Sequence, residues 1–241
     1  MSDIILITGA NKGLGYESAR RLIELGRTVI VTARDLERGR SAAERLGARF
    51  VRMDVTDEES IKAAVADVEA HEGRLNVLIN NAGVMTNRAD TNDGNGLNTM
   101  ELLTAAEALR VYDTNVFGAL RVTMAFLPLL RRSEHPAVIN VSSGMGSQGL
   151  THDPERVESQ FASPLYGSSK AALTMMTTQL AKALPDIRIN AVDPGYTATD
   201  LNGFTGTQTV TEGTDAIVAL ATEGPDGGTG RFVDRFGTVP W

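Results

Sequence analysis

The feature that most constrains this chain is a repeated pairing of a short, continuous apolar run with a longer segment of helical spacing. The apolar runs lie at residues 4–7, 29–32, 50–51, 77–79, 138–141 and 187–192. The helical segments lie at residues 15–25, 36–46, 58–72, 106–130 and 165–184. A run that is apolar throughout, without alternation, is typical of a strand covered by helices on both faces of a parallel sheet. The pattern therefore predicts an α/β fold, a doubly wound sheet of about seven parallel strands with helices on both faces.

Local signals mark several of the predicted helix ends. Gly26 and Gly47 stand where a left-handed residue would close a helix, and Thr56 with Glu59 fits a capping box at the start of the next one. No composition shift and no Pro/Gly-rich linker divides the chain. We therefore expect a single domain over residues 1–241.

Composition excludes several classes of function. The 30 Asp and Glu outnumber the 23 Lys and Arg, and the net charge of −7 argues against a broad surface for nucleic acid. The absence of Cys excludes thiolate chemistry, and no metal site is expected because the three histidines lack ligand spacing; these are His71, His135 and His152. No apolar run approaches the about 20 residues that cross a bilayer, and the N-terminal residues lack the features of a signal peptide. The expected protein is soluble, cytoplasmic and not bound to a membrane.

A glycine-rich segment, TGANKGLG over residues 8–15, follows the first predicted strand and leads directly into a helix. Glycines allow a tight turn and a close approach of backbone N–H groups, and a helix N-terminus offers unpaired donors to a pyrophosphate. This order predicts a phosphate-bearing cofactor, although a purely structural turn is the alternative in a chain with 24 glycines. A nucleotide-triphosphate loop is excluded because no Gly-Lys-Ser/Thr closes the turn. The residues expected to line the cofactor here are Gly9, Asn11, Lys12, Gly13, Leu14 and Gly15.

The end of the second predicted strand indicates which dinucleotide binds. A site for NAD needs a carboxylate at the strand tip for the adenosine ribose, whereas a 2′-phosphate is repelled by a carboxylate and attracted by Arg. Here the neutral Ala33 is followed by Arg34, and Lys12 adds a second cation in the glycine turn. NADP(H) is therefore favoured, the alternative being that Lys12 and Arg34 are solvated surface charges.

Several motifs, in this order and spacing, resemble the short-chain dehydrogenase/reductase family over nearly the whole chain. They are Thr8-Gly9-x-x-x-Gly13-x-Gly15, Asp54-Val55, Asn80-Asn81-Ala82-Gly83, Asn115, Ser142-Ser143, Tyr166-x-x-x-Lys170 and Pro194-Gly195. The resemblance implies one Rossmann-type domain, with a cofactor half at about residues 1–140 and a catalytic and substrate half at about residues 141–241.

Within the family, the chain is similar to NADPH-dependent carbonyl reductases through Lys12, the segment 32–35 and the C-terminal residues 230–241. This similarity implies an NADP-dependent oxidoreductase that transfers hydride between the nicotinamide and a small-molecule ketone, aldehyde or secondary alcohol. Such an enzyme is a carbonyl reductase or ketoreductase that also works, in reverse, as an alcohol dehydrogenase.

Tyr166 and Lys170 are four residues apart, so on a helix they lie on one face. A phenol near its reference pKa of ~10 is a poor acid–base catalyst at neutral pH, and a nearby ammonium lowers that pKa. By the resemblance, Tyr166 donates a proton to the carbonyl oxygen and Lys170 also bonds the nicotinamide ribose. The alternative is an exposed Tyr–Lys pair on an amphipathic helix.

Two further residues receive catalytic roles from the resemblance. Ser142 and Ser143 end a predicted strand at the edge where ligands bind. By the family pattern, Ser143 bonds the substrate oxygen, and Ser142 is a hydroxyl that caps the backbone. Asn115 resembles the Asn that holds a water between the lysine and solvent, and it could equally be a satisfied core amide.

The remaining motif residues are expected to shape the cofactor site. The resemblance places Asp54 and Val55 at the adenine. It places Asn81, Ala82 and Gly83 under the adenosine ribose, and Pro194, Gly195 and Thr197 at the nicotinamide.

The chain also departs from the family pattern. Ser143 and Tyr166 are 23 positions apart, roughly ten more than in compact members, so residues 147–163 are interpreted as an insertion that walls the substrate site. The other expected walls are residues 85–98 and 195–210. The insertion leaves the choice between a monomer and a homo-oligomer open, and Asp193 has no assigned role.

Two other functions fit parts of the pattern. A non-catalytic NADP-binding sensor or regulator on the same fold would not need Ser143, Tyr166 and Lys170 together. A sugar epimerase or dehydratase usually needs more chain after the Tyr-Lys pair than the 71 residues that follow Lys170. The reductase is therefore the favoured hypothesis.

Overall fold

One sheet organises the protein. The computed structural model describes residues 2–85 and 103–241, and these contain eight strands in the spatial order β3-β2-β1-β4-β5-β6-β7-β8. The strands are β1 Ile4–Ile7, β2 Thr28–Ala33, β3 Arg49–Arg52, β4 Val77–Asn80, β5 Ala137–Val141, β6 Arg188–Val192, β7 Phe232–Asp234 and β8 Gly237–Thr238. Strands β1 to β7 pair in parallel, and β8 pairs antiparallel with β7. The predicted doubly wound sheet is confirmed. The additional strand, β8, has two exposed residues and carries no apolar signal.

Helices follow most of the strands. In the described residues they are α1 Gly13–Glu24, α2 Leu36–Leu46, α3 Glu58–His71, α4 Ala105–Tyr112, α5 Ala119–Leu130, α6 Gln148–His152, α7 Pro164–Ala183, α8 Val210–Gly213 and α9 Asp215–Ala221. The single helix predicted over residues 106–130 is wrong in one respect, because a π-helical segment, Asp113–Gly118, separates α4 from α5. Within the described residues, no helix combines the length and apolarity that a membrane span requires.

The continuous apolar strands serve two cores at once. Alternate residues of β1 point to opposite faces, so Ile4 and Leu6 enter one cluster while Ile5 and Ile7 enter the other. The first cluster joins the sheet to α3, α5 and α7, and the second joins it to α1, α2 and α9. Burial on both faces explains why the strands do not alternate between apolar and polar residues.

The capping residues agree with the sequence prediction at two helix ends and differ at a third, the start of α3. Gly47 caps α2 with φ +64°, and Gly26 after α1 has φ +76°, as predicted. The start of α3, however, is capped by the Asp57 carboxylate, which accepts from the N–H groups of Glu59 and Ser60. The Thr56 hydroxyl instead donates to Asp54 at 2.7 Å, so the predicted capping box at Thr56 is wrong. The carboxylate one residue later is better placed at the positive end of the helix.

This capping assignment can be tested by stability measurements. Asp57→Ala removes the acceptor of two otherwise unpaired N–H groups, so we expect it to lower the free energy of unfolding by about 1 kcal/mol. Thr56→Ala is the matched control and removes only a local hydroxyl contact, so a smaller loss is expected. Urea denaturation of both variants measures the difference. A larger loss in the Thr56 variant would restore the sequence prediction.

Candidate active site

The carboxyl ends of β1 and β4 are joined by a dense set of hydrogen bonds. The Thr8 hydroxyl accepts from the backbone N–H groups of Asn81 and Ala82, each at 2.9 Å. The Asn81 amide donates back to the carbonyls of Thr8 at 2.8 Å and Gly9 at 3.1 Å. The strand order reverses at this pair, and in open α/β sheets such a crevice binds ligands.

The glycine turn lies against this junction. A Cβ at Gly15 would stand 2.5 Å from the Asn81 amide nitrogen and 2.9 Å from the Gly9 carbonyl, so only glycine fits there. Gly13, which has φ +56°, opens α1, and the preceding Lys12 makes no side-chain cap. The first turn of α1 contains no acidic residue. Its N–H groups and its positive end therefore remain available to an anion.

The fit of the turn gives a stability prediction. Gly15→Ala forces the Asn81 amide or the Gly9 carbonyl to move, and we expect a loss of about 1–3 kcal/mol in the free energy of unfolding. Gly224→Ala is the matched control, since nothing lies within 4 Å of its added Cβ. Chemical denaturation of both variants is the measurement. Equal stabilities would show that the junction tolerates a side chain.

Cations lie at the tip of β2 and in the glycine turn. Ala33 ends β2 and is buried, whereas Arg34 is exposed. The next carboxylate, Asp35, caps α2 by accepting from the Arg38 N–H at 2.9 Å. Lys12 forms an ion pair with Asp200, a residue that sequence reasoning did not assign to the site. A cavity of about 420 Å³ lies between the start of α1 and residues 198–210.

Three of the predicted catalytic residues converge at the carboxyl end of β5. Tyr166 and Lys170 lie on α7, with the Lys170 ammonium 5.5 Å from the centre of the Tyr166 ring. That ammonium donates to the Val141 carbonyl at 2.8 Å. The Ser143 side chain lies near enough to the Tyr166 phenol to lower its pKa, and the Ser142 hydroxyl donates to the Lys170 carbonyl at 3.1 Å. Ser143 therefore faces the phenol, and Ser142 bonds the backbone as predicted.

Burial dominates the electrostatics of this group. Burial raises the pKa of Tyr166 to about 12; the nearby Ser143 hydroxyl opposes the rise, and Asp193 adds to it. Burial also lowers the pKa of Lys170 to about 8, against the attraction of Asp193. The sequence argument considered only the cation, which lowers a phenol's pKa. In the structure desolvation has the larger effect and keeps Tyr166 protonated at neutral pH.

Asn115 is buried in the π-helical segment and links two chain segments. Its carbonyl oxygen accepts from the Val84 N–H at 2.8 Å, and its amide donates to the Val84 carbonyl and to the Ser169 hydroxyl. A Cβ on Gly83 would stand 3.5 Å from the Asn115 oxygen and 3.6 Å from the Lys170 nitrogen. Asn115 therefore lies beside Lys170, and its amide is satisfied by protein groups. Its predicted role in holding a water stays a prediction.

Comparison with known proteins agrees with this geometry. A family model described as short chain dehydrogenase matches residues 3–209. The chain belongs to the short-chain dehydrogenase family. The (+)-neomenthol dehydrogenase of Capsicum annuum is 32% identical, over 95% of this chain and 95% of its own length. The family predicted from the motifs is confirmed.

Solved structures of similar proteins extend the comparison. The NADPH-bound carbonyl reductase from chicken fatty liver matches with a TM-score of 0.84 at 29% identity, covering 100% of this chain and 99% of that chain. Salutaridine reductase from Papaver somniferum matches with a TM-score of 0.82 at 28% identity, covering 95% of this chain and 99% of that chain. Both share the single α/β domain of this short-chain dehydrogenase.

The other predicted cofactor residues are brought to the same edge of the dehydrogenase sheet. Asp54 accepts from Thr56, and Val55 is buried in the core, where it packs against Gly118. Asn80, the first residue of the Asn-Asn-Ala-Gly motif, donates to Thr123 and Asn140 inside the core. That amide is structural, whereas Asn81 and Ala82 meet the glycine turn.

The segment after β6 is ordered by its own hydrogen bonds. Gly195 has φ +70°, and the hydroxyl of the buried Thr197 donates to the Pro194 carbonyl at 3.0 Å. This hydroxyl retains lone pairs that can accept, so the expected contact with the nicotinamide end stays a prediction. Asp193 is buried and accepts from the Gly195 N–H at 2.9 Å.

The predicted insertion, residues 147–163, contains α6 and a 3₁₀ turn, Val157–Gln160. Its first part packs on the C-terminus, where the Ser147 hydroxyl donates to the Pro240 carbonyl at 2.5 Å. Near its end, the Phe161 ring lies 6.0 Å from the ring of Tyr196. The insertion thus meets one expected wall of the substrate site. Residues 86–98 of the other wall lie outside the described residues.

Sequence reasoning missed three contributors to this site. Thr8 was quoted in the glycine motif, and its place at a strand end next to the turn could have indicated its bonding role. Asp200, which pairs with Lys12, and Glu158, whose carboxyl lies against Gly144, carry no local signal, because these neighbours are distant in sequence. In the part of the chain that the structure describes, no group of three or more His, Asp or Glu side chains could hold a metal ion.

Proposed function

We propose that this short-chain dehydrogenase is an NADPH-dependent carbonyl reductase that interconverts ketones or aldehydes and alcohols. The observation that carries the proposal is the convergence of Ser143, Tyr166 and Lys170 at the edge of the sheet that also carries the glycine turn. Two neighbouring hydroxyl groups next to a buried ammonium are suited to proton transfer at an oxygen atom.

The glycine turn fits a dinucleotide. Gly9, with φ +63°, and Gly15 leave no room for a side chain, and the uncapped start of α1 offers N–H groups to a pyrophosphate. The cofactor would supply the hydride. The residues proposed to hold it are Gly9, Asn11, Lys12, Gly13, Leu14, Gly15, Arg34, Asp54, Val55, Asn81, Ala82, Gly83, Tyr166, Lys170, Pro194, Gly195 and Thr197.

Three residues support NADPH over NADH. The tip of β2 presents the neutral Ala33 where a ribose-binding carboxylate would otherwise stand, and the exposed Arg34 follows it. Lys12 supplies a second cation. The chicken carbonyl reductase, which was solved with NADPH, is a relative that supports the same choice.

The catalytic side chains divide the proton chemistry among them. Tyr166, protonated at neutral pH, donates its proton to the carbonyl oxygen during reduction and takes one from the alcohol in reverse. Ser143 lies beside Tyr166 and offers its own hydroxyl to the same substrate oxygen. Lys170 is proposed to hold the cofactor ribose, and Asn115 orders the backbone beside that lysine.

The substrate proposed is a cyclic or aromatic ketone, or the matching alcohol. Phe161 and Tyr196 line the proposed substrate side with aromatic rings, and Phe204 is exposed nearby on the loop after β6. Aromatic walls favour flat or cyclic apolar molecules. The neomenthol dehydrogenase relative, named for a cyclic alcohol, supports this choice.

Tyr166→Phe tests the mechanism. Removing one hydroxyl eliminates the proton donor, so we expect turnover of a ketone by NADPH to fall at least about a hundredfold. NADPH binding, measured by fluorescence titration, should stay nearly unchanged. Tyr196→Phe is the matched control because its hydroxyl bonds Thr205, and it should retain turnover within a few-fold.

The second candidate, a non-catalytic NADP sensor, predicts a different outcome. That protein would bind NADPH and reduce no member of a broad ketone and aldehyde panel, with or without Tyr166. The close packing of Ser143, Tyr166 and Lys170 favours the enzyme, since a sensor does not require this arrangement.

Arg34→Ala tests the cofactor preference. Loss of one cation at the 2′-phosphate should weaken NADPH binding about tenfold, the size of one charge-assisted hydrogen bond, and leave NADH binding unchanged. Arg131→Ala, at an exposed ion pair with Asp186, is the matched control. Calorimetric titration with both cofactors gives the ratio. Equal affinities for NADPH and NADH in the unmodified protein would refute the preference.

Asp200→Asn gives an independent test of the same site. Asp200 competes with a bound phosphate for the Lys12 ammonium and adds a negative charge beside it. Its neutralisation should tighten NADPH binding about two- to fivefold, with a smaller effect on NADH. Competition titrations at low and high salt measure the change. Weaker NADPH binding would show that the ion pair supports the site instead of competing with it.

A further inference from the structure

Two buried carboxyl groups that the proposed mechanism does not use meet behind the catalytic residues. Asp193 follows β6 and is 4% exposed, and Glu158 belongs to the 3₁₀ turn of the insertion and is 7% exposed. A Cβ on Gly144 would stand 2.6 Å from a Glu158 carboxyl oxygen and 2.9 Å from an Asp193 carboxyl oxygen. The two groups are therefore close neighbours across the residue that follows Ser143.

In the described residues Asp193 forms no ion pair, whereas Glu158 contacts one cation, Arg156. Within this part of the chain, the Asp193 carboxylate accepts only from the backbone N–H groups of Gly195 and Gly144. The Arg156 guanidinium donates to one oxygen of Glu158 at 3.5 Å, and its Nε lies 3.4 Å from the other oxygen without a hydrogen bond. A buried carboxylate without a paired cation is costly, so Asp193 requires an explanation.

The titratable groups near Asp193 come from three elements. Val192, which precedes Asp193, pairs with Val141, and the Val141 carbonyl accepts from the Lys170 ammonium at 2.8 Å, so Asp193 lies near Lys170 and Tyr166 of α7. The Asp193 N–H donates to the carbonyl of Val233, the neighbour of Asp234 in β7, and Glu158 of the insertion meets Asp193 at Gly144. An anion in this position favours the ammonium form of the lysine and disfavours the phenolate form of the tyrosine. Both effects hold protons on the catalytic pair.

We propose that Asp193 is a positioning residue whose carboxylate keeps Tyr166 and Lys170 protonated, and that Glu158 controls how readily Asp193 ionises. The inference rests on the proposed function, because it assigns a consequence for proton donation at the same site. It also gives the insertion an electrostatic role besides walling the substrate site.

The direction of the pH dependence follows from the neighbours. Asp193 raises the pKa of both Tyr166 and Lys170, so its loss lowers both. Burial, with Glu158 and Asp234, raises the pKa of Asp193 itself to about 6. Below that pH Asp193 is neutral and its influence disappears. The effect of Asp193 is therefore present above about pH 6 and grows as the carboxyl ionises.

A purely structural role makes a different prediction. If Asp193 only orders the Gly144 and Gly195 backbone, then Asp193→Asn, which keeps one acceptor oxygen of the two, lowers stability at most and leaves the pKa of Lys170 unchanged. If the charge matters, the same variant changes the titration of Lys170 while the protein stays folded. Asp186→Asn is the matched control, as Asp186 is exposed and precedes β6 at the opposite end.

The first measurement is an NMR titration of the protein labelled with ¹³C at lysine Cε, which needs no turnover. The chain contains four lysines, so the Lys170 signal can be assigned by replacing the other three; these are Lys12, Lys62 and Lys182. Asp193→Asn should lower the pKa of Lys170 by about one unit, and Asp186→Asn should not change it. An unchanged Lys170 titration in Asp193→Asn overturns the proposal.

The second measurement is the pH dependence of turnover in both directions. Reduction requires protonated Tyr166, and alcohol oxidation requires its conjugate base. In Asp193→Asn the alkaline decline of reduction and the rise of oxidation should both move to lower pH by about one unit. A fall in rate at every pH, without a shift, would show a structural role only and would overturn the proposal.

Glu158→Gln keeps the proposal testable if Asp193→Asn fails to fold. Removing the Glu158 charge should let Asp193 ionise at lower pH. The Lys170 NMR titration should show the ionisation of Asp193 as an inflection near pH 6, and this inflection should move to lower pH. An unmoved inflection contradicts the role given to Glu158.

If the pKa of Lys170 shifts as expected while no ketone is reduced, the electrostatic inference stands and the proposed function fails. If ketones are reduced and the pKa of Lys170 does not shift, the proposed function stands and the electrostatic inference fails.

Discussion

The hydrogen bonds between the ends of β1 and β4 are the constraint on which the rest of the site depends. The Thr8 hydroxyl accepts two hydrogen bonds, from the N–H groups of Asn81 and Ala82, and the Asn81 amide donates two, to the carbonyls of Thr8 and Gly9. These four bonds hold the glycine turn against the loop that follows β4. Because α1 begins from this turn, the direction of its N-terminus is set by the same contacts. The parallel pairing of β4 with β5 then places Ser143 at the same edge of the sheet.

Burial determines the protonation of the proposed catalytic group, Tyr166 and Lys170. Lys170 is almost fully enclosed, its ammonium donates to the Val141 carbonyl, and Ser143 lies beside Tyr166. Desolvation penalises a charge on either side chain, which raises the pKa of the phenol and lowers that of the ammonium. The phenol therefore holds the proton that reduction of a carbonyl consumes, while its raised pKa makes it a weaker acid than a free phenol. The buried carboxyl of Asp193 acts in the same direction on the phenol and opposes burial at the lysine.

Much of the fold could be predicted from the sequence because parallel strands covered on both faces leave continuous apolar runs, and because glycines are required where the backbone approaches closely. Contacts between distant parts of the chain could not be predicted. The Lys12–Asp200 pair joins residues 188 positions apart, and Glu158 meets Asp193 only after the insertion folds over Gly144. The π-helical segment at Asn115 was also missed, since its residues keep a helical pattern. Burial raises the pKa of a phenol and a nearby cation lowers it, so the direction for Tyr166 could be decided only from its three-dimensional surroundings.

The central claim is that this site delivers hydride and a proton to a carbonyl group. Its most direct test uses NADPH that carries deuterium at the transferable position, together with cyclic, aryl and aliphatic ketones. Mass spectrometry and NMR then locate deuterium in the product. The account predicts an alcohol with one deuterium on the carbon that bore the oxygen. Alcohol without deuterium, or bound NADPH with no alcohol from any ketone, would contradict it.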